Sequence, residues 1–98
     1  MKTLEDIRRI LAQHKNELEE RYGVKELGIF GSYSRGEQRE LSDVDILIRL
    51  KKPIGFRFLE LWDYLEELLG VKVDLLTPNA LKQKPQLWES VKEDLIHV

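Results

Sequence analysis

Apolar residues recur at three- and four-residue steps through Leu4, Ile7, Leu11 and Leu18, with His14 on the same stripe and charges in between. That period predicts one amphipathic helix running as far as Gly23, which follows Tyr22 and supplies a stop. Thr3 precedes the run and Asp6 lies three residues on, a capping box built with a short acid. The period then shortens. Residues 27–30 (Leu-Gly-Ile-Phe) form a short apolar run closed by Gly31, the pattern of a buried strand. Residues 32–42 are polar without strand alternation, and Ser32 is a competent N-cap for a short helix at their start. Residues 44–50 predict a second strand, ended by Lys51, Lys52 and Pro53. Phe58, Leu61, Trp62, Leu65, Leu68 and Leu69 share one face of a helix predicted over 56–69 and stopped by Gly70. Residues 72–76 predict a third strand. Thr77 followed by Pro78 reads as an N-cap with proline at the first helical position. The tail to Lys92 reads as helix broken near Pro85, and 95–98 as a short closing strand. Helices packed against a small mixed sheet, an α/β (α+β) fold, accommodate this order.

Composition narrows the chemistry. A length of 98 residues predicts one domain over 1–98. Apolar residues at 42% and charged residues at 35% place the chain with globular rather than disordered sequences. Sixteen Lys and Arg against 18 Asp and Glu leave a net charge of −2, which argues against direct nucleic-acid binding through bulk electrostatics. The absence of cysteine excludes disulfides, zinc ribbons and thiol nucleophiles, and with only His14 and His97 a histidine-rich metal site is excluded as well. No apolar run approaches the roughly 18 residues that span a bilayer. The N-terminus is charged almost at once and has no signal-peptide pattern, so the expected compartment is the cytoplasm, away from any membrane.

The acids fall where apolar residues are expected. Asp43 and Asp45 flank Val44 at the head of the second strand. Residues two apart in a strand point to one side, so both carboxylates face one way, with Cα atoms roughly 7 Å apart. Asp74 sits inside the third strand, between Val73 and Leu75. If those strands pair, three carboxylates converge. Close anions raise one another's pKa unless a cation intervenes, and magnesium takes a few carboxylates together with substrate phosphates. Two such ions about 4 Å apart stabilise the attacking and leaving oxygens of a phosphoryl displacement. Taken singly, each acid is equally an ordinary turn or solvated edge residue.

The first strand runs into Gly31-Ser32-Tyr33-Ser34-Arg35-Gly36. Strand, Gly-Ser and short helix make a geometry that holds phosphate: glycine admits a close backbone approach, helix-start N–H groups point outward, and Arg35 offers a bidentate contact. On its own the same turn is an ordinary strand-to-helix connection with a solvated arginine.

This turn, followed by Ser42-Asp43-Val44-Asp45-Ile46-Leu47-Ile48, closely resembles the signature of the nucleotidyltransferase superfamily that includes DNA polymerase beta. More narrowly, the chain is similar over nearly its whole length to the minimal nucleotidyltransferases, antitoxin partners of HEPN-domain ribonucleases in prokaryotes. The resemblance implies that Gly31 and Ser32 hold the nucleotide triphosphate and that Arg35 is the arginine following the Gly-Ser pair. It implies that Asp43 and Asp45 bind two magnesium ions. Asp74 would be the third carboxylate, shared with one metal and placed to activate the attacking hydroxyl. Ser34 departs from the more usual alanine. The implied reaction is attack of an acceptor hydroxyl on the α-phosphorus of ATP with loss of pyrophosphate. In the antitoxin relatives the acceptor is a tyrosine of the HEPN toxin, which adenylylation neutralises. Larger relatives carry a further substrate-holding domain, so here that wall is expected from another polypeptide. Two alternatives stand beside this reading: a non-catalytic module that blocks its partner by complex formation, and a transferase subunit acting on a small-molecule or nucleic-acid acceptor.

Among the remaining residues, His14 reads as a packed core histidine and His97 as solvated. Trp62, at helical spacing, reads as core. Trp88, in the amphipathic tail, reads equally as core or as interface anchor. Lys82 and Lys84 read as solvated.

Overall fold

The structure, a computed structural model, describes residues 2–98. Two helices stand where the period predicts one. Helix α1 (Leu4–Gln13) and helix α2 (Lys15–Tyr22) meet at His14. The His14 Nδ1–H donates to the Ile10 carbonyl at 2.8 Å. In a continuous helix the backbone N–H of His14 would take that acceptor. It goes instead to the Leu11 carbonyl at 3.2 Å, a tighter turn that ends α1. His14 is therefore a half-buried hinge between helices and not the core residue expected from its place on the stripe. The capping box holds: Thr3 Oγ1 accepts from the Asp6 N–H and Asp6 Oδ2 from the Thr3 N–H.

Strand β1 (Val24–Phe30) is longer than the apolar run suggested. Val24 pairs with Leu50 and Glu26 with Arg49, with a register irregularity between them, so polar residues carry the strand's first half. Helix α3 (Ser32–Arg35) is capped by Gly31 and not by Ser32, which is already helical. Strand β2 (Val44–Leu50), helix α4 (Arg57–Leu69) and strand β3 (Val73–Leu76) follow as expected. Helix α5 (Pro78–Lys82) begins at Thr77, whose Oγ1 accepts from the Ala80 N–H at 3.3 Å. Helix α6 (Pro85–Asp94) starts at the proline that breaks the tail, and β4 (Ile96–His97) closes the sheet.

The sheet order is β3-β2-β1-β4. β1 runs antiparallel to β2 and to β4, whereas β2 and β3 are parallel, joined through α4. Gly28 lets β4 approach closely; a side chain there would meet Leu95 and the Ile96 carbonyl. Ile46 and Ile48 of β2, with Val73 and Leu75 of β3, turn to one face and pack with Ile7, Leu11, Leu61, Leu65 and Leu69 in the main core. Each such buried aliphatic contributes about 1.5–3 kcal/mol. The other face is thinly covered: Phe30 and Leu76 meet Leu81 of α5 and Val91 of α6 in a small second core. By alternation, Asp45, Leu47 and Arg49 of β2 and Asp74 of β3 belong to that second face. Among the described residues no helix is long and apolar enough to cross a membrane.

Candidate active site

The β2–β3 pairing puts Asp45 directly beside Asp74. Neighbouring strands are about 4.8 Å apart, so the two carboxylates leave the same face side by side. Both are half-buried. Asp43 precedes β2 by one residue, exposed, and completes the acidic group. Burial, with Asp74 and then Asp43 adding repulsion, pushes the Asp45 carboxyl up to about 6, against a weaker downward pull from Arg35. A group held that far from its ordinary value in an open site is a functional candidate on physical grounds.

Gly31 connects the acids to the glycine-serine turn. Its φ of 75° and ψ of −151° lie in a region essentially reserved for glycine. A Cβ there would stand 3.0 Å from Asp45 Cγ and collide with Oδ2. The turn therefore runs directly over the central carboxylate, and Ser32, half-buried, follows at once. The side chains gathered against the turn offer oxygen donors only, which suits a hard divalent ion such as magnesium. Among the described residues no three ligating groups are gathered tightly enough to hold a metal ion by themselves. Magnesium usually takes one or two carboxylates and completes its shell with water and substrate phosphates.

Arg35 is brought to the site but is not free. Its guanidinium pairs with Glu37 through Nε and with Asp94 Oδ2 through Nη1 at 2.5 Å, and both carboxylates hold its pKa above the usual arginine value. Asp94, with a side chain only 13% exposed, also accepts from Ser90 Oγ at 3.0 Å, and its backbone carbonyl accepts from Ser34 Oγ. The serine that replaces the usual alanine thus ties α3 to the end of α6. Sequence reasoning missed Asp94, because 59 residues separate it from its partner.

A second missed pair steadies Asp74. β3 is an edge strand, and its neighbour Val73 has both outward backbone groups taken by α4. Trp62 Nε1 donates to the Val73 carbonyl at 2.7 Å, and the Val73 N–H donates to Glu66 Oε2 at 2.9 Å. Trp62 is half-buried, so the indole assigned to the core also works as a clamp. The only signal in the sequence was Glu66 four residues beyond Trp62 on one helix face.

Known proteins with this sequence and shape point one way. The family described as "Nucleotidyltransferase domain" matches residues 11–98. The protein adenylyltransferase MntA of Thermococcus cleftensis is 55% identical over 99 residues, covering 100% of this chain and 98% of that protein. A Methanocaldococcus jannaschii protein, MJ1217, which carries a protein adenylyltransferase name, is 50% identical over 99 residues and is covered in full. A solved structure described as a minimal nucleotidyltransferase matches with a TM-score of 0.72 at 35% identity, over 97% of this chain and 95% of that one. A toxin–antitoxin structure with AMP-PNP shares the fold, with a TM-score of 0.66 at 23% identity, over 96% of this chain and 70% of that one.

Proposed function

The chain belongs to the nucleotidyltransferase domain family and is a nucleotidyltransferase, and from that premise we propose that it is a magnesium-dependent protein adenylyltransferase. It moves AMP from ATP to a tyrosine hydroxyl of an HEPN-type ribonuclease toxin and so acts as its antitoxin, as one minimal domain over residues 1–98. The observation that carries this reading is the contact of Gly31 with Asp45, itself paired to Asp74, which makes the turn and the acids one site. The names of the relatives favour a protein acceptor, and AMP-PNP in a structure of the same fold favours an adenine nucleotide.

In this reading Gly31 and Ser32 receive the triphosphate. Glycine at 31 lets the turn pass against Asp45 and start α3 beside it, and first-turn N–H groups have no acceptor within their own helix. Asp43 and Asp45 would hold two magnesium ions, with Asp74 sharing one of them, and the ions would offset the negative charge of the site and make the acceptor hydroxyl more acidic. Asp74 orients that hydroxyl towards the α-phosphorus and draws off its proton as the new P–O bond forms and pyrophosphate departs. Positioning and charge compensation carry the rate. Arg35 reaches the phosphates by exchanging Asp94 and Glu37 for phosphate oxygens. The cytoplasm is the compartment this reading calls for.

The test is labelling of the protein encoded beside this chain with α-labelled ATP. Wild-type chain should mark it, and Asp43→Asn or Asp45→Asn should abolish the mark while complex formation persists. Labelling that survives in both variants removes the reading.

A further inference from the structure

The second face of the sheet continues past the acids into a groove of about 790 Å³ between α5, α6 and the strands. Its floor is apolar: Leu81, Val91 and Leu95, with Leu47 from β2. Trp88 stands on its wall, 46% exposed, a large cost in apolar surface left in water. Neither the small core nor the candidate active site uses this indole. Arg49, Lys82, Lys92 and His97 also line the groove, and among its described lining residues there is no carboxylate. Arg49, Lys82 and Lys92 make that a local excess of cations in a chain of net charge −2. Two acids pair loosely with this rim, Glu26 with Arg49 and Glu89 with Lys92, each at 3.9 Å.

We propose that this groove is the docking site for an acidic, amphipathic helical segment of the acceptor protein. The proposal rests on the protein-acceptor reading above and names the surface and chemistry that reading lacks. An apolar floor with an exposed tryptophan suits the apolar face of a helix, and the cationic rim suits acidic residues flanking that face. A nucleic acid would meet a groove whose floor is aliphatic, with one aromatic and no stacking platform. The groove also stands at a useful distance. Asp45, Leu47 and Arg49 alternate on one face of β2, so the groove opens beside Asp45 and reaches roughly 13 Å from it at Arg49. Four to six extended residues cover roughly 13–20 Å. A docked helix thus delivers a hydroxyl lying a few residues beyond its end to the acids.

The test uses wild-type chain, Lys82→Glu/Lys92→Glu and Trp88→Ala, with the protein encoded beside this chain as probe. Binding is read by calorimetry and transfer with labelled ATP. The lysines are exposed and their reversal leaves the fold intact, which circular dichroism checks. Each variant should weaken binding and raise the acceptor KM by about tenfold or more, with kcat at saturating acceptor unchanged. The lysine variant should also lose most of the salt dependence of binding. Wild-type transfer with an unchanged KM in both variants overturns the groove and leaves the transferase reading standing. Binding that weakens in both variants, with no transfer by wild type, sustains the groove and removes the transferase reading. Absence of binding by wild type overturns it. So does a labelled single-stranded RNA whose binding both variants lose while protein binding is untouched.

Discussion

Replacing Gly31 by alanine strikes the point where the turn meets the acids. Two costs follow from the geometry. Holding a non-glycine residue at φ 75° and ψ −151° costs about 1–3 kcal/mol. The new Cβ, 3.0 Å from Asp45 Cγ and inside contact with Oδ2, forces the carboxylate off its rotamer for about 0.5–1.5 kcal/mol more. The sum, about 1.5–4.5 kcal/mol, lowers the Tm of a domain of this size by at least about 6 °C. Transfer activity should vanish as well, since phosphate and Asp45 both lose their places. Urea and thermal unfolding of Gly31→Ala, Asp45→Ala and the double variant separate the two costs. With the carboxylate gone only the backbone cost remains, so Gly31→Ala should be about 1 kcal/mol cheaper in the Asp45→Ala background. Wild-type stability in Gly31→Ala, or an equal cost in both backgrounds, refutes the account of how the turn sits over the acid.

Three further outcomes are expected. The folded-state pKa of Asp45, about 6, lies above its ordinary 3.8. Its stabilising effect is therefore complete below 3.8 and lost as pH rises through about 6; after discounting for partial exposure the loss is about 1–2 kcal/mol. Asp45→Asn should remove that slope and exceed wild type at neutral pH without metal, as urea midpoints across this range will show. Trp62→Phe removes the donor to the Val73 carbonyl, costs about 1 kcal/mol, and should lower kcat more than the ATP KM because Asp74 loses its support. Asp94→Asn weakens the hold on Arg35 and should lower the ATP KM severalfold, an effect that Arg35→Ala in the same chain abolishes and steady-state kinetics will measure.

Strand β2 was legible to the residue because alternation, length and the following Lys-Lys-Pro agree. The capping box, the Thr77–Pro78 start and the break at Pro85 were legible because each is local chemistry of a few adjacent residues. The split at His14 was not, since it turns on a side chain competing for a backbone carbonyl, which leaves the apolar period untouched. The first half of β1 was hidden because Lys25 and Glu26 face water and the strand there rests on the pairing of Val24 and Glu26 with β2. At the site, residue types and spacing pointed to Gly31, Ser32, Asp43 and Asp45. The alignment of Asp74 with Asp45 is a matter of strand register, which spacing along one chain does not encode. Arg35 shows the same limit, as its partner Asp94 comes from the far end of the fold.

Asp74 meets Asp45 only along the outermost seam of the sheet, and two side chains of one helix keep that seam shut. Val73 and Leu75 of that seam are also main-core residues, so opening it takes the acidic group and part of the core apart together. Loss of catalysis and loss of structure should therefore coincide on heating or in denaturant, and a compact, inactive population at equilibrium refutes that coupling.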